Sequence, residues 1–235
     1  RLDFVTLFSM GKSVYVISLL LLLISCGKDQ PSFDLNTYES YFPIEIGSYV
    51  DYEVMEINHD INAEIQHDTL FYFLRTSIGD TITDNEGRIA NKFLRKKRNA
   101  LSEPWVISDV WTAIVSENKL EVTEENLRKV WLCFPPKSFT SWDKNAYNVQ
   151  SSVECTYESI HFPLTIDNLT FDSVLTVEQE DVLNLVSFRR KYEQYANHVG
   201  LVNKYYKDLN IFNFDTLNIQ SGSELNYKCL GFGIE

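Results

Sequence analysis

From Gly47 to Ile57 apolar and polar side chains alternate, with Val50, Tyr52 and Val54 on one face against Asp51 and Glu53 on the other. A period of two marks a half-buried strand. His67 to Ile78 carries the dense group Leu70-Phe71-Tyr72-Phe73-Leu74, which predicts a central strand. Asp84-Asn85-Glu86-Gly87 is a turn signal. Arg88 to Arg98 then alternates less cleanly and ends in Arg95-Lys96-Lys97-Arg98, a run that reads as an edge strand protected by charge, or as a basic island for phosphates or a polyanionic glycan. Trp105 to Val115, Leu120-Glu121-Val122 and Arg128 to Phe134 are further strands, with a turn at Glu117-Asn118-Lys119 and a stop at Pro135-Pro136. Gln150 to Ile160, Phe171 to Glu178, Gly200 to Lys207 and Leu225 to Gly231 complete the series. Leu185 to Ala196 brings Leu185, Phe188, Tyr192 and Tyr195 towards one face of a helix and reads nearly as well as a strand. The fold class that follows is mainly β, a single antiparallel domain over residues 41–235, with at most one short helix. Its expected form is a partly open barrel of lipocalin-like or lipoprotein-carrier-like type, the alternative being a β-sandwich.

The first 25 residues follow a different rule. Met10-Gly11-Lys12-Ser13 is a basic start, Val14 to Ile24 an apolar run containing five consecutive leucines, and Ser25-Cys26-Gly27 a cleavage site. Eleven apolar residues are about half of the ~20 that cross a bilayer as a helix, which points to a signal peptide instead of a permanent span. Residues 1–9 read as an over-extended start, because Asp3 fits poorly in a signal segment. Leu23-Ile24-Ser25-Cys26 resembles the lipobox of bacterial lipoproteins, in which the cysteine is acylated and becomes the new N-terminus. Acyl chains of palmitate type on Cys26 would hold the protein on a membrane without spanning it. Polar, turn-prone residues 26–40 form the expected tether.

A net charge of −12 argues against nucleic acid and anionic lipid faces as partners. A hydrophobic fraction of 44% with only 9 Gly and 6 Pro excludes a disordered or collagen-like chain. Tyr41-Phe42-Pro43-Ile44, Gly47-Ser48-Tyr49-Val50-Asp51-Tyr52, Val110-Trp111-Thr112, Phe134-Pro135-Pro136 with Trp142-Asp143-Lys144-Asn145-Ala146-Tyr147-Asn148, and Tyr195-Ala196-Asn197-His198-Val199-Gly200-Leu201-Val202 follow in order. Together they resemble a group of small Bacteroidetes lipoproteins of uncharacterised function, over roughly residues 41–208. The resemblance implies lipid anchoring and an all-β domain of the cell envelope, at the outer membrane, on its periplasmic face or at the cell surface. It brings no catalytic residues, and Asn210 to Glu235 departs from it.

Strong catalytic signatures are missing from the sequence, and nothing in it calls for a cofactor or a metal. His59, His67, His161 and His198 are scattered, as surface or turn histidines would be. Asp143, Asn145 and Asn148 depart from a calcium loop and are better read as satisfying backbone groups in a loop pinned by Trp142. The carboxylates Glu124-Glu125 and Glu178-Glu180-Asp181 could be drafted as the acid and base of a glycosidase, but suit solvated faces. Thr69, Thr81, Ser173 and Thr216 sit in Asp-Ser/Thr-apolar tripeptides that resemble O-glycosylation acceptors of exported proteins. Trp105, Trp111, Trp131 and Trp142 are close in sequence and either pack as core or line an apolar cup, with Trp105 and Trp111 on one side of an undistorted strand. Alternation turns Cys155 and Cys229 inward, where they are buried thiols or a single disulfide, with Cys133 left over. These readings suggest a lipid-anchored binding or structural module of the envelope, with an apolar ligand, a glycan or an envelope protein as its partner. The rival is an envelope glycan hydrolase.

Overall fold

The computed structural model describes residues 36–235. A single helical turn, α1 (Asn36–Glu39), precedes twelve strands. They are β1 (Ser48–Asp60), β2 (His67–Thr83), β3 (Ile89–Arg98), β4 (Val106–Ser116), β5 (Lys119–Glu124) and β6 (Leu127–Cys133), then β7 (Ser141–Asp143), β8 (Glu154–Ile166), β9 (Leu169–Leu183), β10 (Ser187–Ala196), β11 (Gly200–Phe212) and β12 (Asp215–Ile234). All belong to one antiparallel sheet of order β6-β5-β4-β3-β2-β1-β12-β11-β10-β9-β8-β7. The first and last strands therefore meet in the middle of the sheet, from Ser48 against Ile234 to Asp60 against Ser221.

The sheet curls until its two edge strands face each other, giving a nearly closed barrel. Across the seam the Val130 N–H donates to the Lys144 carbonyl at 2.8 Å, Trp142 Nε1 donates to the Val130 carbonyl at 3.1 Å, and Asn148 Nδ2 donates to the Arg128 carbonyl at 2.9 Å. These three bonds stand in for a ladder between β6 and β7, so the barrel stays partly open along one line. Pro135 and Pro136 follow β6 after Phe134, whose N–H donates to the Asn118 carbonyl at 2.7 Å, and they end its pairing.

One end of the lumen is a packed apolar core. Val50, Tyr52 and Val54 of β1 point inward, as alternation predicts, and meet Tyr72, Leu74 and Ile78 of β2 and Tyr227 and Cys229 of β12. Residues 40–43 close this end. Phe42 packs edge-on to Phe93 at 5.4 Å and to Trp131 at 6.1 Å. The Tyr41 hydroxyl lies 2.5 Å from His161 Nδ1 and 2.6 Å from the Ser173 hydroxyl. Strand β8 slips register on both sides of His161, whose φ of +61° lies in the left-handed region, and this local distortion brings the imidazole to Tyr41.

Several expectations change at this level. Leu185 to Ala196 forms no helix; Ser187–Ala196 is β10, which pairs on both sides, so sheet hydrogen bonds and inward Glu193 and Tyr195 override a weak helical period. The basic run ends β3, which lies between β2 and β4 and is not an edge. Arg95 and Lys97 turn into the lumen over Trp111 (4.3 Å) and Tyr72 (4.7 Å), while Lys96 and Arg98 turn outward to Glu235 (3.3 Å) and Trp105 (4.1 Å). A bulge separates the pairs Arg95–Asp109 and Lys96–Ile107, inserting Ser108. One extra residue inverts alternation, so Trp105 lies outside under Arg75 and Arg98 while Trp111 packs against the core. The segment from Asn210 onward is the end of β11 followed by the longest strand, β12, whose Gly222 takes a φ of +131°. A Cβ there would stand 2.2 Å from the Asp208 carbonyl oxygen, so glycine lets β11 and β12 approach.

Candidate functional site

Beside the seam, the inner face changes from apolar to charged. Strand β7 ends at Asp143, and the next residue, Lys144, is held in place by its backbone on both sides: its carbonyl accepts from Val130 and its N–H donates to the Val153 carbonyl at 2.8 Å. Asp143 Oδ1 accepts from the N–H groups of Asn145 and Val153, both at 2.9 Å, and Asn145 Nδ2 donates to the Ser151 carbonyl at 2.6 Å. Asp143, Asn145 and Asn148 thus use their side chains on the backbone, as read from the sequence. What that reading missed is the residue they position.

The Lys144 ammonium, with the residue 8% exposed, reaches Glu193 of β10, which is 2% exposed, at 3.3 and 3.4 Å. Lys204 of β11 reaches the same carboxylate at 3.4 Å. The Tyr195 hydroxyl donates to Glu193 Oε2 at 2.8 Å, and the Tyr206 hydroxyl lies 2.8 Å from both Glu193 Oε1 and Gln179 Oε1. Matched ion pairs surround this centre. Lys129 meets Glu124 at 2.9 Å, and Lys191 meets Glu180 at 3.0 Å and Asp208 at 2.7 Å. Arg189 shares the last two carboxylates, at 3.4 and 3.1 Å. These side chains line or support a cleft of about 270 Å³.

Burial alone would push the Glu193 carboxyl up, but Lys144, Lys204 and the hydroxyls of Tyr206 and Tyr195 outweigh it and hold the pKa well below the usual carboxylate range. Burial also works against charge on Lys144 and Lys204, yet the neighbouring Glu193 and Tyr206 keep both raised. Burial pushes the Tyr206 phenol up to about 12, with Glu193 adding to the shift. The centre is therefore ionised at neutral pH. It can hold a polar ligand by charge and hydrogen bonding; as a proton donor Glu193 is poorly suited, since a general acid needs a raised pKa.

The drafted acid and base pairs are separated. Glu180 faces the cleft, whereas Glu178 pairs with Tyr192 on the opposite face of β9, where burial and the charges of Glu158 and Asp181 raise its pKa. Glu124 accepts from Trp131 Nε1 at 2.8 Å inside the lumen, while Glu125 accepts from Trp111 Nε1 at 3.1 Å.

Of the four tryptophans, Trp131 is the buried one, set among Phe42, Phe93, Trp111 and Tyr195 with ring centroids 5.9–6.5 Å away. Trp142 packs on Tyr157 at 4.9 Å, and Trp105 lies outside the barrel. The cavity inside the aromatic end measures about 30 Å³, the space of a single water, and no tryptophan lines it; Trp111 instead borders a hollow of about 360 Å³ together with the polar side chains of Ser108, Asp109, Thr112 and Thr123. The three cysteines among the described residues, Cys133, Cys155 and Cys229, are free thiols. Burial pushes Cys155 and Cys229 up to about 12 and Cys133 up to about 11.

Two of the four histidines meet: His59 and His67 are cross-strand partners with their Nδ1 atoms 2.8 Å apart, and His59 Nε2 lies 3.3 Å from Glu224. Among the described residues no group of three or more His, Cys, Asp or Glu side chains is placed to hold a metal ion. Thr69 and Thr81 are exposed on β2, and Thr216 is half-buried at the start of β12. Ser173 is half-buried and its hydroxyl is engaged by Tyr41. Cys26, the signal segment and most of the tether lie outside the described residues. Comparison with family models and with curated proteins finds no match for this chain.

Proposed function

We propose that the protein is a lipid-anchored binding module of the cell envelope, attached to the outer membrane through Cys26, whose ligand site is the charged cleft in the barrel lumen. One observation carries the choice of site: a barrel that only needed stability would fill this region with apolar side chains, because burying charges costs more than their pairing returns. Here Lys144 and Glu193 are buried beside a cleft of about 270 Å³. That volume sits just below the range of small-molecule sites and favours a compact hydrophilic ligand. The filled aromatic end weighs against a lipid chain as cargo. The hydrolase reading is weaker, because Glu193 is held ionised and Glu178 and Glu180 face opposite ways. Native mass spectrometry of the protein from its own membranes tests the site: the expected result is a small polar adduct that is lost on unfolding, and a bare mass from gently prepared protein contradicts the proposal.

The anchor rests on Leu23-Ile24-Ser25-Cys26 after an apolar run. Cys26→Ala is expected to move the protein from the detergent phase to the aqueous phase in phase separation. A variant that stays in the detergent phase and is correctly processed removes the lipidation proposal.

A further inference from the structure

We infer that the lumen cleft takes a small hydroxylated anion, a sugar acid or a sugar phosphate, with Lys204 meeting its charge. This rests on the proposal that the cleft is a ligand site.

Around the cleft Lys129 has Glu124, and Lys191 and Arg189 have Glu180 and Asp208, but at Glu193 two ammoniums share one carboxylate. Lys144 at 3.3 Å and Lys204 at 3.4 Å both lean on this one carboxylate, each farther away than the ~2.7–2.9 Å of a strong charge-assisted bond. Both lysines line the cleft, Lys144 with its side chain 10% exposed. Lys204 has its side chain 20% exposed, and Tyr206 and Tyr227 lie under its ammonium at 4.4 and 5.5 Å without supplying a counter-charge. An excess cation inside a chain of net charge −12 runs against the composition, and an entering anion would compensate it.

A second observation is independent of charge. The Tyr206 hydroxyl has one hydrogen, and the carboxylate of Glu193 is a stronger acceptor than the amide oxygen of Gln179, which stands equally near. As placed, Gln179 Nε2 is buried without a hydrogen-bond partner. Turning the amide so that Nε2 donates to Tyr206 puts Oε1 in that unpartnered position. In either orientation one polar atom of Gln179, a residue lining the cleft, has no hydrogen-bond partner within the protein. A ligand hydroxyl, which both donates and accepts, answers both orientations. About 270 Å³ admits one sugar ring and not an extended chain.

Calorimetric titration of the full-length protein in detergent tests the inference, with glucuronate, glucose 6-phosphate, glucose and acetate as probes and Lys204→Met and Glu193→Gln as variants. The expected result is saturable binding of glucuronate or glucose 6-phosphate, with glucose and acetate at least about tenfold weaker. K204M leaves Lys144 and Glu193 as a matched pair, so it should fold normally and bind the anion about tenfold or more weakly. E193Q should bind it more tightly, and if this variant does not fold, K204M alone decides. Unchanged anion affinity in K204M, or glucose binding as tightly as the anions, overturns the inference and leaves the cleft as a ligand site. Silence from all four probes with an uncharged native adduct also overturns the inference alone. The same silence with no adduct overturns both readings.

Discussion

A buried carboxylate between two ammoniums makes stability depend on pH in a defined direction. The Glu193 pKa is depressed in the folded protein, so its contribution is fully present above the unfolded value near 4.5 and is lost as the pH falls from there through the folded value. Acid unfolding followed by circular dichroism is expected to show this loss beginning below about pH 4.5. Glu193→Gln should lack that part of the acid limb and be about 3–5 kcal/mol less stable at neutral pH, because it strands buried ammonium charge. An acid limb identical to that of the parent protein rules out this role. The thiols make a parallel case: with Cys155 and Cys229 pushed up to about 12, few thiolates exist at pH 8, and maleimide labelling of the folded chain should be slow until denaturant is added. Rapid labelling of Cys133, Cys155 and Cys229 without denaturant contradicts the packing.

At the scale of strands, legibility in the sequence follows periodicity. β1 alternates cleanly, and its inward set, Val50, Tyr52 and Val54, is correctly read. β3 and β4 are misread at their ends, because a bulge is a property of two strands and cannot be seen in either alone. The basic run looked like an edge because four consecutive charges fit no core face, whereas two of them reach across the lumen to aromatic rings. The loop geometry around Trp142 is legible from Asp143 and Asn145, whose side chains have few other uses, but Lys144 is not, since its partner Glu193 is 49 positions away. Nothing local marks either residue as buried. Two of the tryptophans supply a test of the bulge. Trp131→Ala, at the centre of the aromatic cluster, should cost about 3–5 kcal/mol in denaturant unfolding, whereas Trp105→Ala, outside the barrel, should cost no more than about 1 kcal/mol. Equal losses would mean that Trp105 also packs inside.

For the whole molecule, the partly open antiparallel barrel is the fold read from strand spacing, and the sheet order explains what spacing cannot show, namely how the ends close. Sequential hairpins supply β1 to β6 and β7 to β11, but these two runs are joined in the sheet only through β12 and, at the opposite side, through the short seam of Val130, Lys144 and Trp142. The lumen cleft borrows from both runs: Lys129 and Glu124 come from the first, Lys144, Gln179, Lys191 and Lys204 from the second. A chain shortened before Asp215 should therefore lose the cleft along with the core, and hydrogen exchange should find the amides of β6 and β7 opening before those of β1 and β12. Exchange that is slowest at the seam would reverse that order.

The central pairing of β1 with β12 also governs when the molecule can come into being. A chain emerging N-terminus first makes β1 before the other strands, yet β1 must wait with one backbone edge vacant until the twenty residues of β12 arrive. Through that interval the vacant edge is an invitation to any other extended chain nearby, so the nascent protein is most vulnerable to mispairing just before β12 emerges, and the barrel closes in a single late event.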